Sequence, residues 1–126
     1  MTRKDVTLAT LVTGARAGLR ETAIAERIDP ALHTAVILEG LPDGSDPLQQ
    51  ASVQPHLKIV RIAPGCMHCI GNLVMRVTLN RMLRDKPQRL FVSVASGEHI
   101  EQLRQFLLAS PYDALLSLTE NIAAES

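Results

Sequence analysis

The amino-acid sequence predicts a three-layer α/β/α domain with a mostly parallel sheet of about five strands. Apolar, β-branched segments alternate with segments of helical periodicity, which is typical of a parallel sheet covered by helices on both faces. Thr34–Leu38 is almost entirely apolar, as strands buried on both faces are. A length of 126 residues suits a single domain, 1–126.

The first half of the chain contains three predicted strands and one predicted helix. Val6–Val12 is β-branched and ends before Gly14, where the chain can turn sharply. Ala15–Ile28 has helix-forming residues with an apolar stripe and stops at a proline. A second strand at Thr34–Leu38 precedes a long loop rich in Gly, Pro and Asp. Leu57–Ile62 alternates apolar with basic residues, which predicts a strand with one less buried face.

The second half repeats the alternation of helices and strands. Ile70–Arg84 places apolar residues at three- and four-residue steps, and basic residues near its end complement the helix dipole. Leu90–Ala95 is the fourth predicted strand. Glu98–Leu108 is a third amphipathic helix, and Ala114–Leu118 is the fifth predicted strand.

The composition argues against several classes of function. The chain has 13 basic and 13 acidic residues and no basic run, so we expect no nucleic-acid partner. Its apolar stretches are too short to span a bilayer, and the N-terminus lacks the apolar region of a signal peptide. We therefore expect a cytoplasmic protein without a membrane partner.

The two cysteines lie in the segment Gly65-Cys66-Met67-His68-Cys69, at the predicted turn between a strand and a helix. In the cytoplasm, this spacing favours metal binding or redox chemistry over a structural disulfide. Thiolates and imidazole suit soft and borderline metals, and a helix N-terminus lowers the pKa of a thiol. Cys66, His68 and Cys69 are thus candidate ligands of zinc or another transition metal. The fourth ligand of a tetrahedral site would come from water, from a second chain, or from His56, His99 or Glu39.

Four segments resemble the GTP-binding domain of the CobW-like P-loop metallochaperones. They are the first strand with Thr13-Gly14, the Ala35–Leu38 strand, the cysteine segment, and Pro87–Val92 followed by Ser96-Gly97. At the cysteine segment the family carries Gly-Cys-x-Cys-Cys. The resemblance implies a P-loop-NTPase-like fold and metal handling, with His68 at the position of the family's middle cysteine.

The predicted phosphate-binding loop departs from the family pattern. A Walker A loop ends in Gly-Lys-Ser/Thr, because the lysine pairs with phosphates and the hydroxyl binds magnesium. Counting from Gly14, those positions hold Leu19, Arg20 and Glu21. A slipped loop would instead use Gly18, Arg20 and Thr22. We therefore predict a degenerate nucleotide site at Gly14, Gly18, Arg20 and Thr22, without GTP hydrolysis.

Two other functions stay open at this point. The chain also resembles a thioredoxin fold, because Cys-x-His-Cys lies between a predicted strand and a predicted helix, and Pro111 precedes an apolar strand. In such a fold, Cys66 would attack a substrate disulfide and Cys69 would resolve the mixed disulfide. A structural or protein-interaction domain without catalysis is the third reading. We predict a metal-binding protein that is not an enzyme, and a protein partner is left open.

The remaining polar candidates have ordinary explanations. We expect His33 to be a surface histidine, and Ser93 and Ser96 to be strand and turn polar groups. Arg16 and Arg20 would be solvated charges of the first helix, although they could also reach an anion at the carboxyl edge of the sheet.

Overall fold

The computed structural model describes residues 6–40, 48, 55–62, 73–95, 97 and 100–124. Six strands lie within these ranges: β1 (Thr7–Thr13), β2 (Thr34–Glu39), β3 (Leu57–Ile62), β4 (Arg89–Ser93), β5 (Leu116–Leu118) and β6 (Ile122–Ala123). The helices are α1 (Ala17–Ala25), α2 (Leu73–Leu83), α3 (Ile100–Leu108) and the short α4 (Tyr112–Leu115). Within the described ranges, no helix is long and apolar enough to cross a membrane.

The strands form one parallel sheet in the order β3-β2-β4-β1-β5, and β6 also pairs with β1. The predicted α/β fold is therefore confirmed. β2 lies between β3 and β4, and all six of its residues are buried. The apolar run Ala35–Leu38 predicts this burial. The predicted strand ended at Leu38, but pairing of Glu39 with Ile62 extends it by one residue. β3 is an edge strand, so its polar positions Lys58 and Arg61 are exposed.

Each face of the sheet has its own apolar cluster. On one face, α2, α3 and α4 cover residues such as Leu11, Ile37 and Val92. On the other face, α1 packs with Val36, Phe91 and their neighbours. Because helices cover both faces, the three predicted layers are present.

The last predicted strand is partly wrong. Ala114 and Leu115 belong to α4, in which the Ala114 N-H donates to the Pro111 carbonyl at 3.2 Å. Because local hydrogen bonds hold Ala114 and Leu115 in a helical turn, only Leu116–Leu118 of the predicted strand pairs with β1. β6 was not predicted, since two residues give no periodic signal.

Burial also affects the chemistry of one aromatic side chain at the start of α4. The Tyr112 hydroxyl donates to Asn80 Oδ1 at 3.1 Å. Burial raises the pKa of the Tyr112 phenol above its usual value of 10.0, and the Arg76 charge partly offsets this. Tyr112 is 4% exposed and belongs to the apolar cluster on the face of the sheet that α2, α3 and α4 cover.

Candidate functional site

The cysteine segment itself lies outside the described residues, so Cys66, His68 and Cys69 remain predicted ligands. The chain enters it from β3, whose last residue, Ile62, pairs with Glu39 of β2. The described strands are parallel, so Ile62 lies at the carboxyl edge of the sheet, three residues before Gly65 in the sequence. Among the described residues, no group of three or more His, Cys, Asp or Glu side chains is arranged to hold a metal.

The turn after β1, where the sequence predicts phosphate binding, lies against the C-terminal segment. The Ala124 N-H donates to the Thr13 carbonyl at 2.7 Å. A Cβ atom added to Gly14 would lie only 2.6 Å from the Ala124 backbone oxygen. Gly14 is therefore needed for a close backbone approach within the chain.

Arg20 is buried, with an exposed fraction of 3%. Its Nε donates to Ser93 Oγ at 2.7 Å, and its Nη1 donates to the Gly14 carbonyl at 2.9 Å. Its Nη2 donates to the Glu39 carbonyl at 3.2 Å. The guanidinium thus bridges the ends of β1, β2 and β4, and the prediction of a solvated helix charge is wrong for Arg20.

Arg16 differs from Arg20 because its side chain is exposed. It precedes α1 and provides the N-cap position without a capping hydrogen bond from its side chain. The predicted exposure is therefore confirmed for Arg16.

Glu21 is also buried, although it follows Arg20 directly on α1. Its two carboxylate oxygens accept from Arg61 Nη1 at 3.1 Å and Nη2 at 3.3 Å. The Glu21 side chain is 2% exposed and the Arg61 side chain is 30% exposed. This bidentate pair joins α1 to β3 four residues before Gly65.

The pairing of Glu21 with Arg61 was not predicted. The signal for one partner was present in the basic positions of the third strand, Leu57–Ile62. The sequence does not show which acidic residue such a strand residue meets, because the two are 40 positions apart. Glu21, Arg61 and Arg20 are called the carboxyl-edge network below.

The other residues of the predicted nucleotide site, Gly18 and Thr22, lie on α1. Thr22 is exposed on α1, and Gly18 is only partly buried. Arg20 points instead to Ser93, which is 1% exposed and accepts its hydrogen bond. Ser93 is thus a strand polar group, as predicted, while Ser96 lies outside the described residues.

Two of the candidates for the fourth metal ligand lie at opposite ends of the sheet. Glu39 ends β2 at the carboxyl edge, and its Oε1 accepts from the Ala95 N-H at 2.8 Å. His56 precedes β3 and so lies at the amino edge. A six-residue strand is about 20 Å long, so the geometry favours Glu39 over His56. His99 lies outside the described residues.

The thioredoxin-like alternative requires Pro111 to face the cysteine segment. β5, which follows Pro111, is separated from β3 by three strands. Pro111 precedes β5 at the amino edge of the sheet, whereas Ile62, the last described residue before the cysteine segment, lies at the carboxyl edge. The topology therefore does not support this alternative.

Comparison with known proteins gives one informative similarity. The chain is 31% identical over 118 residues to the zinc chaperone YeiR of Escherichia coli strain K12. The match covers 90% of this chain but only 35% of that relative, so the chain spans about a third of its length. No family model matches the chain, and no solved structure matches it. The chain is therefore a distant relative of a zinc chaperone, which agrees with the CobW-like resemblance.

Proposed function

We propose that the chain is a CobW-like metal-handling domain that binds a transition ion, with zinc the first choice, through Cys66, His68 and Cys69. The observation that carries the proposal is the similarity to a zinc chaperone across 90% of the chain. The donor set is consistent with it, since two thiolates and an imidazole are common zinc ligands. Three ligands leave a position open, which suits exchange of an ion with a partner better than permanent storage.

We also propose that the domain does not hydrolyse GTP. The residue at the Walker A lysine position, Arg20, already donates to three protein acceptors. Glu21 stands at the position of the magnesium hydroxyl and pairs with Arg61. A nucleotide phosphate would have to displace these contacts of Arg20 and would be repelled by the nearby Glu21 carboxylate. Both effects oppose nucleotide binding.

Zinc titration of the reduced protein against a chromophoric chelator tests the metal proposal. We expect one ion per chain, bound more tightly than about 1 µM, which corresponds to about −8 kcal/mol. Cys66→Ser should weaken this binding by at least about tenfold, because a thiolate ligand is lost. The His99→Asn protein, assayed in parallel, identifies any contribution of that histidine.

The metal proposal fails if the wild-type protein binds no zinc below the micromolar range and Cys66→Ser behaves identically. In the same preparation, a fluorescent GTP analogue with magnesium should show no low-micromolar binding. Tight binding of the analogue would contradict the second proposal and leave the first intact.

A further inference from the structure

Two histidines lie side by side at the amino edge of the sheet, opposite the carboxyl-edge network. β2 and β3 pair with Thr34 beside Leu57, so the residues just before them, His33 and His56, are also neighbours. Their ring centroids are 4.3 Å apart, and the ring planes are inclined at 55°. The parallel register therefore forms a cross-strand pair of imidazoles.

Backbone hydrogen bonds fix both positions. The His33 carbonyl accepts from the Gln88 and Arg89 N-H groups, at 2.8 and 3.2 Å, and its own N-H donates to Gln88 Oε1 at 3.0 Å. The His56 carbonyl accepts from the Thr34 N-H at 2.8 Å. Only the side-chain torsions remain to be ordered on binding a ligand, which lowers the entropic cost of forming a site.

The surroundings of the pair are accessible and close to neutral. Both histidines are exposed, and with Asp85 they line a cavity of about 40 Å³. Lys58, which also lines it, donates to the Asp85 carboxylate. The lysine charge is therefore largely offset where a cation would approach.

We propose that His33 and His56 together bind one divalent first-row transition ion, with water in the remaining positions. Imidazole nitrogen suits zinc, nickel and copper. Two nitrogens bonded to one ion at about 2.1 Å each lie no more than about 4.2 Å apart. Because the ring centroids are 4.3 Å apart and both side chains are exposed, rotation of the rings can bring one nitrogen of each within this limit. No third protein ligand joins them among the residues that the structure describes. The site is thus open and exchangeable, and Cu²⁺ binds it more tightly than Zn²⁺ or Ni²⁺.

This site does not depend on the cysteine segment, so it is tested in the full chain carrying Cys66→Ser and Cys69→Ser. Cu²⁺ is titrated and followed by calorimetry and by amide NMR. We expect one ion per chain, with paramagnetic broadening centred on Leu32–Thr34 and His56–Leu57. His33→Asn or His56→Asn, added to this protein, should each weaken binding by about tenfold or more.

Glu101→Gln in the same background is the control and should leave the affinity unchanged, because Glu101 is exposed and belongs to neither proposed metal site. Because His33 and His56 are exposed, their variants should keep the amide spectrum of the folded protein. Equal Cu²⁺ affinity in the double variant His33→Asn/His56→Asn would overturn the proposal, as would broadening centred on any other segment.

Discussion

The two edges of the sheet hold their polar side chains in opposite states. At the carboxyl edge, Arg20 and Glu21 are buried and bonded to protein groups at the ends of four strands. At the amino edge, His33 and His56 are exposed and their rings contact each other. Buried charges must be satisfied within the protein, whereas exposed imidazoles exchange water for a ligand at little cost. The carboxyl edge, which resembles a nucleotide site, is therefore less able to bind a ligand than the amino edge.

The largest effect should come from Glu21→Gln. This change removes the charge of a 2% exposed carboxylate and leaves the Arg61 guanidinium with a weaker partner. We expect a loss of about 2–3 kcal/mol in the free energy of unfolding, below the range for fully buried pairs because Arg61 is 30% exposed. Urea denaturation measures it.

Glu26→Gln, at the C-cap directly after α1, is the matched control, since Glu26 is exposed. It should change stability by less than about 0.5 kcal/mol. If both variants lose the same free energy of unfolding, the burial of Glu21 adds nothing to the stability that its pairing with Arg61 provides.

A smaller effect is expected for Gly14→Ala. The added methyl group would lie 2.6 Å from the Ala124 carbonyl oxygen, which forces β6 to shift or detach. The cost should be about 1–3 kcal/mol, as for other overpacking changes. Faster exchange of the Ala124 amide proton, which donates to Thr13, would report detachment directly.

Gly97→Ala is the control for this change, because its added Cβ meets no atom within 4 Å among the described residues. Its stability should stay within about 0.5 kcal/mol of the wild type. An equally stable Gly14→Ala protein with a protected Ala124 amide would show that the turn after β1 is not closed by the C-terminal segment.

The smallest effect is expected at the amino edge. Without metal, His33→Asn should change the free energy of unfolding by less than about 0.5 kcal/mol, since the side chain is exposed. Urea denaturation in the presence of a chelator measures this difference. A loss above 1 kcal/mol would mean that the imidazole pair supports the fold, and the contrast between the two edges would disappear.

The order of strands and helices was predictable because it depends on local patterns. Thr34–Leu38 could be assigned as a fully buried strand because its apolar run leaves no polar face, and Leu57–Ile62 was assigned with its exact bounds. The exception, Ala114 and Leu115, lies beside a turn where local hydrogen bonds compete with strand pairing.

Part of the candidate site was also predictable. The Cys-x-His-Cys spacing and the departure from Walker A at Arg20 and Glu21 are visible in the sequence alone. The similarity to a zinc chaperone supports the metal-handling role that this spacing suggests. Cys66, His68 and Cys69 remain predictions of the sequence, because they lie outside the described residues.

By itself, the sequence determined the α/β class, the order of elements and the candidate ligands, because periodicity, turn residues and donor types are local properties of the chain. Only the tertiary structure decided that Arg20 and Glu21 are buried, that Arg61 meets Glu21, and that His33 meets His56. These pairings depend on strand order and register, which bring together residues 23 to 73 positions apart. Local sequence patterns do not encode such distances, since they arise when the whole sheet packs.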